Sequence, residues 1–218
     1  MKKIMFNDKY GLTQAVLDGR KTMTRRIIPD KKLHYWKCSC PDMVIVRVPE
    51  SQKLKADDDN TYFGIKDKIS SEYYCDTITS PYKVGEVVAI AQSYKGLGYD
   101  GDSIDRDSQL NIRGLMKDSA GWNNKMFVRA GACKHHIEIT NIKIERLQDI
   151  SEEDCLKEGI EYYGLEHEDY GDTLYGFEGS VTYISARDAF SVLIDKVSGQ
   201  GIWKRNPYIF AYKFKLID

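Results

Sequence analysis

Short strand-like segments outnumber the helices in this chain, and they do not alternate regularly with them. The clearest segment is 208–217, in which aromatic side chains occupy every second position at its start, as in a strand with one apolar face. A parallel sheet needs a crossover, usually a helix, between successive strands. The order of segments therefore predicts an α+β fold, built on a small, mostly antiparallel β-barrel with helices packed at its ends.

The same period-2 patterns predict the other strands. They are expected at 21–28, 43–48, 62–65, 87–91, 126–129 and 137–147. In the last of these, the isoleucines change phase around Asn141, which indicates a bulge.

Helical periodicity and capping residues predict three helices. They are expected at 10–18, 151–158 and 185–198. Gly19 and Gly199 are placed to end the first and the last, and Ser151 opens the second as part of a capping box. We expect a single domain over 1–218. Its insertions are expected at about 30–80, 95–124 and 160–184.

Charge is distributed unevenly along the chain. The 218 residues carry a net charge of −1, which argues against a protein that coats duplex DNA by bulk electrostatics. Residues 1–40, however, contain ten Lys and Arg against three Asp, and residues 151–172 contain nine acids against Lys157. The first region is suited to attract an anion; the alternative is that both regions are solvated faces.

The cysteines and the apolar segments bear on the compartment. No segment has the length and hydrophobicity of a secretion signal or a membrane span, and five cysteines with irregular spacing are typical of reduced thiols. We expect a cytoplasmic protein without a cofactor. Cys38 and Cys40, with His34 upstream, lack the spacing of a zinc site, so no metal is predicted.

Residues 19–26 (GRKTMTRR) concentrate positive charge and hydroxyl groups. In an extended segment, Thr24 and Arg26 share one face, while Met23 and Arg25 share the other. A hydroxyl and a guanidinium that point inward need a polar ligand or an acidic partner. The run therefore predicts a site for a phosphate-bearing, nucleotide-like or nucleobase ligand, and the alternative is a solvated basic loop.

Four blocks, in order along nearly the whole chain, resemble the ASCH-domain family. This family is a branch of the PUA-like superfamily, and the chain is most similar to its longer phage and prophage members. The family pattern G-x-K-x-x-E-x-R maps onto Gly19, Lys21, Thr24 and Arg26, with Thr24 in place of the glutamate. The other blocks are YKVGEVVAI (82–90), IERLQDISEEDCLKEGI (144–160) and WKRNPYIFAYKF (203–214).

The resemblance implies a PUA-like barrel that binds RNA or a modified nucleotide or nucleoside in its cleft. Lys21 and Arg26 would contact the ligand, and Arg20 and Arg25 are expected on the surface. Further candidate contacts are Gly19, Arg129, Trp203, Lys204 and Arg205.

A branch of the family with the pattern K-T-x-T-x-R resembles an amidohydrolase that removes acetyl from N4-acetylcytidine. By position, its functional lysine, threonine and glutamate are Lys21, Thr24 and Glu158. A desolvated Lys21 could take the proton of the Thr24 hydroxyl, with Glu158 orienting the lysine or the substrate amide. The same three residues could also hold a base without cleaving it. A third alternative is a phage accessory protein that serves assembly.

Overall fold

The computed structural model describes residues 1–30, 33, 43–48, 62–67, 73–104, 114–164 and 174–217. The strands are β1 (Lys3–Ile4), β2 (Met23–Ile27), β3 (Met43–Arg47), β4 (Tyr62–Asp67), β5 (Tyr73–Thr79), β6 (Val87–Ile90), β7 (His136–Arg146), β8 (Glu161–Tyr163), β9 (Leu174–Gly176) and β10 (Tyr208–Leu216). The α-helices are α1 (Leu12–Leu17), α2 (Glu152–Lys157), α3 (Ala186–Ser198) and α4 (Ile202–Arg205).

The main sheet has five strands in the order β1-β6-β7-β10-β2. Every neighbouring pair is antiparallel except β1 and β6. The expected mixture of helices with a mostly antiparallel sheet is confirmed. The expected closed barrel is not found in the described part of the chain, because β1 and β2 form opposite edges of the sheet and do not pair with each other.

Part of the predicted insertion at 30–80 forms a second sheet. Its three strands, β3, β4 and β5, pair in chain order. The strands β3 and β4 match the segments predicted at 43–48 and 62–65, whereas β5 was not predicted as a strand. Phe63 lies 6.0 Å from Phe210 of the main sheet, ring centre to ring centre, and Ile78 is buried in the same core. This sheet therefore covers part of one face of β10.

The interior strand β10 is buried on both faces in its first half, whereas Lys213 and Lys215 further along are exposed. Phe210, Tyr212 and Phe214 on its aromatic face are at most 2% exposed. Ile209 and Ala211 on the other face are at most 1% exposed. The three aromatic side chains belong to the core, and Tyr208 at the start of the row is half-buried.

The bulge predicted around Asn141 is confirmed. Asn141 of β7 pairs with Lys213 of β10, whereas the next residue, Phe214, pairs with Ile139. Thr140 is therefore the extra residue on β7, and it restores the apolar phase of the isoleucines on both sides of it.

The strand predicted at 126–129 is wrong. Lys125–Phe127 forms a 3-10 turn, which begins where the Asn124 side chain accepts a hydrogen bond from the backbone N–H of Met126. The Lys3 ammonium donates to the carbonyl oxygens of Lys125 (2.9 Å), Met126 (2.6 Å) and Val128. These contacts hold the carbonyls in a tight arc that an extended strand does not provide.

Candidate functional site

The turn after α1 sets the position of Lys21. Gly19 ends the helix with a φ of 75°, a left-handed conformation that favours glycine. The backbone N–H of Lys21 then donates to Ala15, and that of Thr22 donates to Lys157 at 2.9 Å. The second bond ties the start of β2 to the end of α2. Gly19 is exposed and does not border the cavity described below, so its role is in the turn.

Lys21 and Glu158 form a buried ion pair. The Lys21 ammonium donates to Glu158 Oε2 at 2.7 Å and to the Glu158 backbone carbonyl at 2.6 Å. Their side chains are 2% and 5% exposed. A Cβ placed on the next residue, Gly159, would lie 3.2 Å from Leu12 Cδ2 and 3.5 Å from Lys21 Cδ, so the chain passes close to the lysine stem.

Arg25 is not on the surface, and that expectation is wrong. Its side chain is fully buried, with Nη1 donating to Glu158 Oε1 at 3.0 Å. Its Nη2 donates to Glu145 Oε1 at 2.7 Å and to Asp154 Oδ2 at 3.1 Å. Burial is possible because three carboxylates surround the guanidinium. Arg20, in contrast, is exposed as expected and pairs with Glu161 at 2.5 Å.

Burial and ion pairing together shift the pKa values of Glu158 and Lys21. Desolvation alone would raise the pKa of Glu158, but the charges of Lys21 and Arg25 outweigh it and hold this pKa below its ordinary value. Desolvation lowers the pKa of Lys21, and Glu158 offsets only part of that effect. At neutral pH, Glu158 is therefore a carboxylate.

A cavity of about 490 Å³ opens beside the edge strand β2. Side chains from both faces of β2 border it. Lys21, Thr24, Arg25, Arg26 and Glu158 form its polar part. Its apolar wall comes from the N-terminal segment and α3, and consists of Met5, Phe6, Leu12, Phe190, Leu193, Ile194 and Val197. Asp8, Lys9 and Lys125 add charges.

Thr24 and Arg26 also border this cavity but, unlike Lys21, they take no part in the buried ion pair with Glu158. The Thr24 hydroxyl makes no hydrogen bond with a described residue, and thus none with Lys21 or Glu158. The Arg26 guanidinium donates to the Met5 carbonyl and lies 5.9 Å from the centre of the Phe6 ring. No described carboxylate forms an ion pair with it. The structure thus brings Lys21 and Glu158 into contact and leaves Thr24 and Arg26 with unused hydrogen-bonding capacity.

The other predicted contacts lie outside this cavity. Arg129 is exposed beside a 3-10 turn, and Lys204 is exposed on α4. Trp203 packs against Phe190 at 6.2 Å between ring centres, which makes it part of the core edge. Arg205 borders a separate cavity of about 220 Å³.

Several residues of the site were missed by sequence reasoning. The apolar wall on α3 was predicted only as a core face, and Glu145 and Asp154 had no assigned role. Little in the sequence indicated a role for Glu145. Its alternation along β7 shows only that it shares a face with Lys143, whereas its contact with Arg25 joins residues 120 positions apart. The register between β2, β10 and β7 was needed to find it.

In the described ranges, no three His, Cys, Asp or Glu residues cluster in a way that could hold a metal ion. His34, Cys38 and Cys40 lie outside the described residues. None of the helices described is long and apolar enough to cross a membrane.

Comparisons with protein-family models, with curated proteins and with solved structures find no match for this chain.

Proposed function

We propose that this chain is an ASCH-like protein that binds a nucleoside or nucleotide, free or within RNA, in the cavity beside β2. One observation carries the proposal: Lys21, Thr24 and Arg26 of the family pattern border a single cavity, whereas Gly19 forms the turn that positions Lys21. In this cavity, the Thr24 hydroxyl has no partner among the described residues, and Arg26 has no carboxylate partner among them. Polar groups that border a cavity and have no partner among the described residues can be satisfied by a ligand that accepts hydrogen bonds.

The size and lining of the cavity suit such a ligand. Its volume of about 490 Å³ falls within the range of small-molecule sites. Phe6, Phe190 and Leu193 offer apolar surface to a flat ring, and Arg26 offers a planar set of donors to a carbonyl or phosphate oxygen. A nucleobase with its sugar or phosphate combines these two kinds of surface.

The family resemblance adds support from the sequence. Lys21, Thr24 and Arg26 match pattern positions of the ASCH signature, and the block 144–160 supplies Glu158 to the same cavity. Under this proposal, the five-stranded sheet is the counterpart of part of the PUA-like barrel. RNA contacts outside the cavity would involve Trp203, Lys204 and Arg205.

The proposal is tested by calorimetric titration of the purified chain with cytidine, N4-acetylcytidine, cytidine monophosphate and a short single-stranded RNA. We expect one of these to bind and Arg26→Gln to weaken it by about tenfold or more, because a charge-assisted hydrogen bond is lost. Arg205→Gln is the matched control for a free nucleoside or nucleotide. Equal affinities in the two variants would exclude this cavity as the site.

A second function, hydrolysis of an acylated nucleoside amide, is favoured by the contact of Lys21 with Glu158 beside the Thr24 hydroxyl. Thr24 Oγ1 would attack the acyl carbon, the nucleoside amine would leave with a proton, and water would hydrolyse the resulting ester. Lys21 can take the Thr24 proton only as a neutral amine, and its ion pair with Glu158 opposes that state. Binding therefore has the stronger geometric support.

The two functions separate in one assay. Incubation with N4-acetylcytidine, followed by chromatography of the released cytidine, measures hydrolysis directly. Turnover that disappears in Thr24→Val would establish the hydrolase, whereas binding without turnover in the unmodified chain would leave only the binding function.

A further inference from the structure

Arg25 is a buried cation that the family pattern does not include. The pattern occupies positions 19, 21, 24 and 26, so Arg25 falls on one of its unspecified positions. Yet its side chain is the only one of the three arginines in the run that is fully buried. It also contacts the same carboxylate as Lys21. Such a group requires a structural or functional reason, because burying a guanidinium is costly unless it is paired.

The register of the sheet explains how Arg25 reaches its partners. Arg25 of β2 lies opposite Ala211 of β10, and Ala211 lies opposite Lys143 of β7. The small side chain of Ala211 leaves space for the arginine to extend across β10. It thereby meets Glu145, which lies two residues after Lys143 on the same face of β7.

The partners of Arg25 are themselves held in place. Lys143 lies 2.8 Å from Glu145 Oε2 and 3.2 Å from Asp154 Oδ2. Asp154 is anchored on α2, whose Ser151 cap accepts a hydrogen bond from the Asp154 backbone N–H. The guanidinium is therefore fixed from two elements, β7 and α2, before it contacts Glu158.

The two oxygens of Glu158 are divided between two cations. Oε1 accepts from Arg25 at 3.0 Å, and Oε2 accepts from Lys21 at 2.7 Å. An ammonium has three N–H bonds, and Lys21 uses two of them on Glu158 Oε2 and on the Glu158 backbone carbonyl. Lys21 also borders the cavity, where its ammonium lies 5.9 Å from the centre of the Phe6 ring, so the third N–H is the one left for a ligand there.

We propose that Arg25 is the positioning residue of this site: it fixes the Glu158 carboxylate as an anion, turned so that Lys21 presents its remaining N–H to the cavity. This inference rests on the proposed function for its effect on ligand binding. Its effect on Glu158 holds whether or not a nucleoside is the ligand.

The charged groups around Glu158 determine what removal of Arg25 does. Lys21 and Arg25 contact it directly, Arg26 lies on the same cavity wall, and Asp154 lies one turn earlier in the chain. Glu145 and Lys143 act on it through Arg25. The α3 residues that border the cavity are mostly apolar. Without Arg25, one oxygen of Glu158 loses its donor in a buried place, so protonation of the carboxyl becomes easier.

The test uses the double variant Arg25→Met/Glu145→Gln, which removes the guanidinium and one carboxylate that would otherwise be left unpaired. The matched control is Arg20→Met, since Arg20 is exposed and pairs with Glu161 outside the cavity. The carboxyl carbon of Glu158, labelled with carbon-13 and assigned with Glu158→Gln, is titrated by NMR. We expect its midpoint to rise by about one pH unit or more in the double variant and to stay unchanged in the control.

Ligand affinity gives the second readout. The probe is cytidine or its monophosphate, whichever binds the unmodified chain. The double variant should bind it about tenfold more weakly at neutral pH. As the pH is lowered, the affinity of the double variant should begin to fall at a higher pH than that of the unmodified chain. Arg25→Lys restores the charge but not the fork of donors, so it should recover the NMR midpoint better than the affinity.

Each outcome has a separate meaning. An unchanged Glu158 midpoint in the double variant overturns the positioning role. Failure of every nucleoside probe to bind the unmodified chain overturns the proposed function, while the NMR midpoint still decides the role of Arg25. If the double variant does not fold, Arg25→Lys is measured in its place. A Glu158 midpoint and a ligand affinity of Arg25→Lys that are both identical to those of Arg20→Met overturn the inference.

Discussion

The Lys21 ammonium lies 2.7 Å from Glu158 Oε2, although 137 residues separate the two positions in the chain. Two backbone features make this contact possible: the turn at Gly19 that starts β2, and the bond from the Thr22 N–H to the Lys157 carbonyl. The pair is enclosed by Arg25 on one side and by the cavity on the other. Its buried charges make several variants informative.

Replacement of Glu158 by Gln should destabilise the fold strongly. The amide keeps the size of the side chain but leaves the charges of Lys21 and Arg25 without their shared carboxylate. Breaking a buried pair in this way costs about 3–5 kcal/mol. The free energy of unfolding, measured with urea, checks this value. Glu161→Gln changes a half-exposed partner of Arg20 and Tyr163 and should have little effect. Equal losses in the two variants would contradict the buried-pair argument.

Acid should weaken the fold through Glu158 and Asp154. Desolvation would raise the pKa of each carboxyl group, but neighbouring cations outweigh it. Lys21 and Arg25 hold the pKa of Glu158 below its ordinary value. Lys143 and Arg25 do the same for Asp154. Each carboxylate then contributes stability that is present above its unfolded-state pKa and is lost as the pH falls through the folded-state pKa, in the range below about pH 4.

The measurement for this pH effect is the urea midpoint between neutral pH and pH 3. The midpoint should fall on acidification in the unmodified chain and should fall less steeply in Glu158→Gln, which has no carboxylate there to protonate. Parallel curves for the two proteins would show that Glu158 does not contribute to the acid dependence.

Thr24→Val should separate ligand binding from stability. Valine matches threonine in shape, and the hydroxyl makes no hydrogen bond with a described residue, so the free energy of unfolding should change by less than about 1 kcal/mol. Affinity for the nucleoside probe should fall, because the lost hydroxyl borders the cavity. Thr22→Val, which lies in the same run but not on the cavity, is the control. A Thr24 variant with unchanged affinity would remove the hydroxyl from the binding proposal.

Lys3→Met should release the turn at 125–128. The ammonium of Lys3 donates to three carbonyls of this turn, so its loss leaves the turn held by its own short-range bonds and by the contacts of the Lys125 side chain with Phe6 and Asp8. Hydrogen exchange of the Phe127 and Val128 amides should become faster, as measured by NMR. Lys2→Met, next in sequence but paired with Glu86 at the surface, should leave these amides unchanged.

The sequence predicts best where one local pattern decides the structure. The helix α3 follows from its apolar period, the cap of α2 from Ser151, and the bulge in β7 from the phase change of its isoleucines. The strand at 126–129 failed because a distant lysine, Lys3, and the Asn124 cap stabilise a turn there. The strand β4 was predicted at 62–65, but its partner β5 was not, because the polar residues around it indicated loops.

In the site, too, local patterns identified some residues, while others depend on contacts between distant parts of the chain. Residues Lys21, Thr24 and Arg26 were singled out from one run, and Glu158 came from the family resemblance. Arg25 was misplaced because alternation along β2 assigns its face but not what covers that face. Its partners Glu145 and Asp154 are 120 and 129 positions away. The pairing of β2, β10 and β7 brings Glu145 to Arg25, and the position of α2 brings Asp154.

The walls of the cavity come from distant parts of the chain: the segment around Phe6, the edge strand β2, Lys125, Glu158 and one side of α3. No short piece of the chain can hold the cavity in isolation, so a ligand that fits it binds only the folded domain. Its binding free energy then adds to the unfolding free energy, by about 2.7 kcal/mol at one hundred times its Kd. A rise in melting temperature across a library of nucleosides and nucleotides can therefore identify the ligand without a prior choice among them.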